Sequence, residues 1–492
     1  MISNYLFIYC YSVTTFFVFV KDVSALIRVR DNWMVDEYDR VRLFHGFNSV
    51  KKGPPWFDEQ ILNETRLLYY NRWGFNVVRL GTMWSGVEPS ENEFNETYID
   101  ILYKITETLD KYGMNVILDA HQDVFSSAVC EDCYDGFPRW LSRNFTPSIL
   151  KYPWPFNYIS GENWALGYLT YSVSSAFQQF YDNTSGSADK FVRFWVKIAE
   201  KFKNQNNILG YELLNEPWAG NVFYNPQLLL PGIAGYQNLK PLYDRLFVEI
   251  RKVDDHTNIF YEPVTWGVLG RSELFGSGFK ELPGGESFQN RSVFSYHIYC
   301  WVMNVSALHS KYPWPLKALC DSILASNIFL TVADDILKTG GSSFLTEFGL
   351  CEPDGNPLSI DTMECDFILD KSDEHLQSWT YWDSLFFDDN GFPKPEVIKS
   401  FSRPYAMATA GIPVMMKFDL DEQIFQFEFR SRTKIRSSTE IFIPIIHYPD
   451  ELLVDTQPLL KWIYHKKSSL FKIYTFHLLD NTLVKITIKP LH

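Results

Sequence analysis

From about residue 40 to 400, short apolar runs alternate with longer stretches in which apolar residues recur three and four apart. The short runs predict strands at Leu43–Phe47, Val77–Leu80, Asn115–Asp119, Leu209–Leu214, Ile259–Glu262, Val293–Tyr299, Ser343–Thr346 and Ser378–Trp382. The longer stretches, such as Tyr98–Tyr112 and Ala188–Lys203, have the spacing of helices that cover a sheet with one face. Eight strands alternating with helices predict an α/β fold, a closed (β/α)₈ TIM barrel. After Arg403-Pro404 the period changes to two. Val414–Asp419, Gln423–Arg430, Thr439–Ile446 and Lys472–His477 read as strands of a small C-terminal β-sandwich. The predicted division is therefore a leader at 1–25, a barrel at 26–402 and a β-sandwich at 403–492.

Two stretches break the barrel rhythm. The segment from Cys130 to about Ala188 is too long for a simple connection and reads as a partly helical insertion over the barrel mouth, with Tyr168–Phe180 as its helix. The run Lys-Tyr-Pro-Trp-Pro occurs at 151–155 and again at 311–315. Such loops either present Trp to a sugar or lipid or pack it at the surface. Residues 5–20 are almost wholly apolar, and Val23-Ser24-Ala25 has small residues at the two positions a signal peptidase reads. No Lys or Arg precedes the run. An uncleaved anchor is the alternative, for which the stretch is short.

Cysteine usage points to the same secreted, extracellular or lysosomal setting. Beyond Cys10 in the leader there are six, Cys130, Cys133, Cys300, Cys320, Cys351 and Cys365. Proximity suggests the pairs Cys130–Cys133, Cys300–Cys320 and Cys351–Cys365, among fifteen connectivities. Asn-x-Ser/Thr sequons occur at Asn63, Asn95, Asn144, Asn183, Asn290 and Asn304. The net charge of −14, without a long basic run, argues against nucleic acid as a partner. No His or Cys spacing marks a metal site, and no motif calls for a cofactor. Aromatic residues make up 17% of the chain; they suit stacking on sugars as well as an aromatic core.

The chemistry is carried by two acids. Glu216, in Asn215-Glu216-Pro217, follows the fourth predicted strand, and Glu347, in Thr346-Glu347-Phe348-Gly349, follows the seventh. Barrel enzymes place reactive groups at the C-terminal ends of strands. Two carboxyls facing each other across the mouth are the equipment of a retaining glycosidase. One must be ionised to attack the anomeric carbon, and the other must first be protonated and then act as base.

Several motifs in order carry a resemblance: His45-Gly46-Phe47-Asn48, Asn76-Val77-Val78-Arg79-Leu80, Asp119-Ala120-His121-Gln122-Asp123, Glu212-Leu213-Leu214-Asn215-Glu216-Pro217, Tyr296-His297-Ile298-Tyr299, Thr346-Glu347-Phe348-Gly349, Ser378-Trp379-Thr380-Tyr381-Trp382, and Arg403-Pro404-Tyr405-Ala406 with Ala410-Gly411-Ile412-Pro413. In these the chain resembles glycoside hydrolase family five, and within it the endoglycoceramidases, over nearly its whole length. The resemblance implies cleavage of the bond between oligosaccharide and ceramide in glycosphingolipids, with peripheral contact at a membrane or micelle surface. It implies that Glu347 is the nucleophile and Glu216 the acid/base, and that Arg79 and Tyr299 keep the nucleophile ionised. His121, Asp123, Asn215, His297 and Trp382 would bind sugar, with Trp382 as the floor and Trp379 the second candidate for it. Lys52 matches a sugar-contacting lysine, although Gly53-Pro54-Pro55-Trp56 departs from the family pattern and a surface lysine is the alternative. Glu212, Glu262 and Asp119 are read as supporting acids. Two other readings stay open: a β-glucosidase, glucosyl- or galactosylceramidase or β-glucanase of the same family, and a non-catalytic glycan- or glycolipid-binding protein.

Overall fold

A computed structural model describes residues 26–131, 133–269, 276–300 and 317–491. The apolar N-terminal run, the Asn304 sequon and the second Lys-Tyr-Pro-Trp-Pro lie outside the described residues. Eight parallel strands close into a barrel: β1 His45–Ser49, β2 Val77–Gly81, β3 Asn115–Asp119, β4 Ile208–Glu212, β5 Asn258–Tyr261, β6 Ser292–Ile298, β7 Ser342–Phe348 and β8 Trp379–Tyr381. Each lies within two or three residues of its predicted span. The helices form where period and caps agree. The Asn95 side chain accepts from the Tyr98 amide at the start of Glu96–Lys111, and Ser359 caps Ile360–Glu374 in the same way. Helix Ser187–Phe202 buries Phe191, Phe194, Trp195, Ile198 and Phe202 against the barrel.

The bottom of the barrel is plugged. Ile27, Val29 and Met34 form one apolar cluster with Phe44, Val77, Ile117, Leu209, Phe260, Val293 and Phe344, which lie at or near the starts of the barrel strands. Polar chemistry is thereby left to the opposite end, where strands finish and loops begin.

The C-terminal part is two packed antiparallel sheets. Gly411–Asp419, Ile424–Ser431, Leu483–Pro490 and Leu452–Gln457 make one, with Phe418, Phe425, Phe427 and Phe429 turned inward. The other contains Tyr405–Thr409, Thr439–Phe442, Leu470–Ile473 and Trp462–His465, and it also takes in Arg28–Arg30, Trp33–Val35 and Val41–Arg42 from the start of the chain. Residues 28–42, grouped with the barrel by sequence, are thus shared: their side chains plug the barrel while their backbone extends the C-terminal sheet through Val41↔Thr409 and Arg42↔Ala408. Strands of two or three residues carry no readable alternation. The predicted strand Lys472–His477 lies instead at Leu470–Ile473.

The two parts meet in a dry contact. Tyr405 stacks on His45 at 3.7 Å between ring centres, and His45 stacks on Trp379 at 4.4 Å. The Tyr405 hydroxyl donates to the Gly74 carbonyl at 2.7 Å. Gly74 has φ +87°, and a side chain there would overlap the ring of Phe442. Of the apolar junction residues, Tyr405 is buried, while Val414 is left exposed.

The insertion after β3 is partly helical, with helix Tyr171–Tyr181 and 3₁₀ turns at Arg139–Ser142 and Gly161–Leu169. Its Trp154 is half exposed and leans on Phe223 at 5.3 Å. All three disulfides follow the proximity pairing, Cys130–Cys133, Cys300–Cys320 and Cys351–Cys365. None of Asn63, Asn95, Asn144, Asn183 and Asn290 is buried. Among the described residues no helix is long and apolar enough to cross a membrane.

Candidate active site

In the middle of β2, Arg79 is fully buried and serves five partners. It bonds Glu212 and Glu347, donates to Asn215 Oδ1 at 2.8 Å and Asn48 Oδ1 at 3.0 Å, and lies 3.1 Å from Asp119 Oδ1. A planar fork of five N–H groups is what such a set requires. Burial opposes its charge, but Asp119, Glu212 and Glu347 raise its pKa well above the ordinary value. Glu212 also accepts from the Ser295 hydroxyl, low in the barrel.

Glu347 lies inside β7, one residue before its end, rather than beyond the strand. Its Oε2 accepts from the Tyr299 hydroxyl at 2.8 Å. Burial pushes its carboxyl up, yet the cations of His297, Arg79 and His121 and the Tyr299 bond outweigh this and hold it below the usual range. The Tyr299 hydroxyl, driven up by burial and by Glu347, keeps its proton and can donate.

Glu216 stands four residues past β4, with φ +40°. Its Oε1 lies 2.9 Å from His297 Nδ1, and its backbone N–H donates to Glu262 Oε2 at 2.8 Å. Burial lowers the basicity of His297, but Glu262, Glu347 and Glu216 lift it to about 10. Carboxylate oxygens of Glu216 and Glu347 and a ring nitrogen of His297 lie within 4.8 Å of one another. The shape of that trio would suit a metal, as would Glu212, Glu262 and His297. Arg79 already stands among these acids as their counter-charge.

The remaining predicted residues gather on one flank. His121 Nδ1 lies 2.7 Å from Asp119 Oδ2, and its ring stacks on Trp382 at 5.3 Å and 10°. Burial works against the His121 charge, and Asp119 more than restores it. Asp123 is paired with Lys52 and accepts from the Tyr134 hydroxyl at 3.0 Å. Although burial raises it, Lys52 and His121 hold Asp123 far below the ordinary carboxylate range. The Lys52 ammonium lies 4.7 Å from the centre of the Trp382 ring, 5.1 Å from Trp164 and 5.5 Å from Tyr134. Lys52, whose side chain is 34% exposed, thus joins the cluster from the protein surface. Asn215 donates to the Gln122 carbonyl at 3.0 Å and accepts from Arg79. Trp379 is fully buried against His45 and does not reach the mouth.

Sequence reasoning passed over several residues. Gln122 donates to the carbonyls of Asn215 at 2.7 Å and Glu216 at 3.2 Å, and so clamps the turn that carries Glu216. Asn48 ties Arg79 to the Thr346 carbonyl at 3.1 Å and the Tyr381 carbonyl at 3.2 Å. Both stood inside quoted motifs, at strand ends, which was the available signal. Tyr134 and Trp164 lie in the aperiodic insertion, where no local pattern points to a site.

Comparison with known proteins agrees with this geometry. The cellulase (glycosyl hydrolase family 5) profile matches residues 35–387, and the glycoside hydrolase family 5 C-terminal domain profile matches 403–488. An endoglycoceramidase of Hydra vulgaris is 33% identical over 503 aligned positions, covering 96% of this chain and 90% of that protein. An endoglycoceramidase of Cyanea nozakii is also 33% identical, covering 87% and 86%. The structure of endo-glycoceramidase II from Rhodococcus sp. in its ganglioside GM3 complex shares the fold, with TM-score 0.77 at 22% identity over 94% of this chain and 99% of that one. With family profiles spanning both parts and a barrel that gathers the expected acids at its mouth, the chain belongs to glycosyl hydrolase family 5 and is a glycoside hydrolase.

Proposed function

We propose that the protein is a secreted, retaining endo-glycosidase that hydrolyses the β-glycosidic bond between oligosaccharide and ceramide in glycosphingolipids. The observation that carries this reading is the pair Glu216 and Glu347. Their carboxylates approach within 4.8 Å, one clamped to Arg79 and Tyr299 and the other to His297, in a chain matching endoglycoceramidases over nearly its full length. That separation leaves no room for a water between the second carboxylate and the anomeric carbon, as an inverting enzyme needs, and is near the 5–5.5 Å typical of retaining enzymes.

In the first step Glu347 attacks the anomeric carbon as the bond to the ceramide oxygen breaks, and that oxygen takes the proton of Glu216. In the second, Glu216 takes a proton from water. The water oxygen displaces Glu347, and the anomeric configuration is retained. Trp382, flanked by His121, is the floor for the sugar. Lys52, Asp123 and Asn215, whose amide also reaches Asp123 Oδ1 at 3.4 Å, bind its hydroxyls. The lipid would meet exposed apolar side chains in the segments after β3 and β4, among them Ile149, Trp154, Tyr158, Trp164, Tyr224 and Leu230. These segments follow strand ends at the mouth, so the same face would rest on a membrane or micelle. Three disulfides and unburied sequon asparagines support an extracellular or lysosomal setting.

Incubation with a defined ganglioside and, separately, a cello-oligosaccharide, followed by mass analysis, tests the proposal. Free ceramide with intact oligosaccharide is expected. Stepwise monosaccharide release, action on the cello-oligosaccharide alone, or binding without product would overturn it.

A further inference from the structure

Glu216 adopts a backbone conformation that a glutamate does not choose. Its φ of +40° lies toward the left-handed region, where a side chain crowds its own carbonyl. Such a residue stays put only if its neighbours over-determine it. Gln122 holds the carbonyls of Asn215 and Glu216, on the β3 side. On the other side the Glu216 N–H donates to Glu262 Oε2 at 2.8 Å. Glu262 follows the last residue of β5 and is only 2% exposed. Its own carbonyl accepts from the Tyr243 hydroxyl at 2.8 Å, which anchors it to helix Lys240–Arg251. Its other oxygen lies 3.5 Å from His297 Nδ1, the atom 2.9 Å from Glu216 Oε1. Glu262 therefore touches both the backbone and the imidazole partner of Glu216, without pointing at the cleavage point itself.

We propose that Glu262 is a positioning residue for Glu216, and that it acts as a hydrogen-bond acceptor that aims the acid/base carboxyl at the glycosidic oxygen. This rests on the reading of Glu216 as acid/base. Among the described residues, the titratable groups that face Glu262 are His297 from β6, Glu216 and Glu212 from β4 and the turn after it, Arg79 from β2, and Tyr243 from helix Lys240–Arg251. Burial, with Glu216 and Glu212 nearby, raises its carboxyl well above the ordinary range against the pull of His297 and Arg79. The Glu216 amide meets a carboxyl oxygen, Oε2, that the amide oxygen of a glutamine can reproduce.

The test is Glu262→Ala beside Glu262→Gln, with Glu216→Gln as reference. Each is assayed on a glycolipid, whose leaving group needs a proton, and on an activated aryl lactoside, whose leaving group does not. Glu262→Ala should lower kcat on glycolipid by about tenfold or more, part of the 10²–10⁴ that general acid catalysis contributes. Its KM should hold within about threefold, and kcat/KM on the aryl lactoside should fall by no more than about threefold. Glu262→Gln, which keeps the acceptor oxygen, should restore the glycolipid kcat lost in Glu262→Ala to within about threefold of the parent. Equal loss on the two substrates would mean general damage and would overturn the proposal, as would a Glu262→Gln no more active on glycolipid than the variant without the acceptor. If Glu262→Ala does not fold, as read by circular dichroism, Glu262→Met, which keeps the volume and lacks the acceptor, takes its place with the same expected and overturning results. If Glu216→Gln itself shows no dependence on leaving group, the acid/base reading fails, whatever the Glu262 variants do.

Discussion

Removal of one hydroxyl, Tyr299→Phe, isolates what keeps Glu347 ionised. The Tyr299 O–H donates to Glu347 Oε2 at 2.8 Å, in a site where Glu347 is only 4% exposed. Phenylalanine fills the same volume, so the fold and the Arg79 contact remain. A hydrogen bond to a charged group is worth about 1.5–3 kcal/mol. At about 1.4 kcal/mol per pKa unit, losing it should raise the Glu347 carboxyl by about one to two units. The sign follows from which form the bond favours: the hydroxyl stabilises the anion, so its removal lets the carboxyl hold its proton to higher pH. The acid limb of kcat/KM reports the free enzyme's nucleophile, and it should move to higher pH by that amount. At pH values well above both limbs, the fraction ionised is unchanged. The assay is kcat/KM against pH on an activated aryl lactoside, where protonation of the leaving group does not intrude. An acid limb that stays within about 0.3 units of the parent, with a fold intact by circular dichroism, would refute the role given to Tyr299 and the magnitude derived from it.

Four further outcomes are expected. Glu347→Gln should abolish turnover on every substrate, since an amide cannot act as the anionic nucleophile, while Glu216→Gln should lose far more activity on glycolipid than on an activated aryl glycoside; comparable losses would reverse or remove the assignment. At the junction, burial raises the Asp373 carboxyl to about 7, against the pull of Arg403, whose Nε lies 3.2 Å away without aligning to donate. A carboxyl raised in the folded state stabilises while protonated, below about pH 4, and loses that contribution as pH rises through about 7, on the order of 4 kcal/mol at most. The melting temperature of Asp373→Asn relative to the parent should therefore rise between pH 4 and 7, and a constant difference would contradict this. Replacing Arg403 by Leu should cost about 3–5 kcal/mol in a urea titration above pH 7, where ionised Asp373 is left buried without its cation, and less at pH 5, where Asp373 holds its proton; an equal cost at both would contradict this. Cys351→Ser should lower stability by about 3 kcal/mol, the loop-closure value for a link of this span, and an unchanged urea midpoint would show that the bridge does not constrain the unfolded chain.

Local patterns in the sequence were enough for the elements and for the two central acids. A strand of period two and a helix of period 3.6 are consequences of backbone geometry within a few residues, so the eight strands and helices such as Glu96–Lys111 and Ser187–Phe202 could be read directly. Proximity along the chain was likewise sufficient for all three disulfides. Because a barrel displays strand ends on one face, Glu216 and Glu347 were recognisable as facing partners before any contact was known. What ring closure alone decided is who meets whom. Arg79 gathers Asn48, Glu212 and Glu347 from 31, 133 and 268 residues away, and Lys52 finds Asp123 across 71 residues. No periodicity encodes such distances. They depend on the register with which each strand joins the next, including the shift between β6 and β7 at Leu345/Glu347. The same holds for Glu262, a strand-end acid like the others by sequence, whose oxygen turns out to hold a backbone amide 46 residues earlier. It holds too for residues 28–42, too short in each strand to show alternation, which find their partners at Ala408 and Thr409 once barrel and sandwich are folded against each other. Local covalent geometry writes the elements into the sequence, whereas the charge network that would tune a nucleophile exists only after burial has brought distant acids and one arginine into the same dry volume.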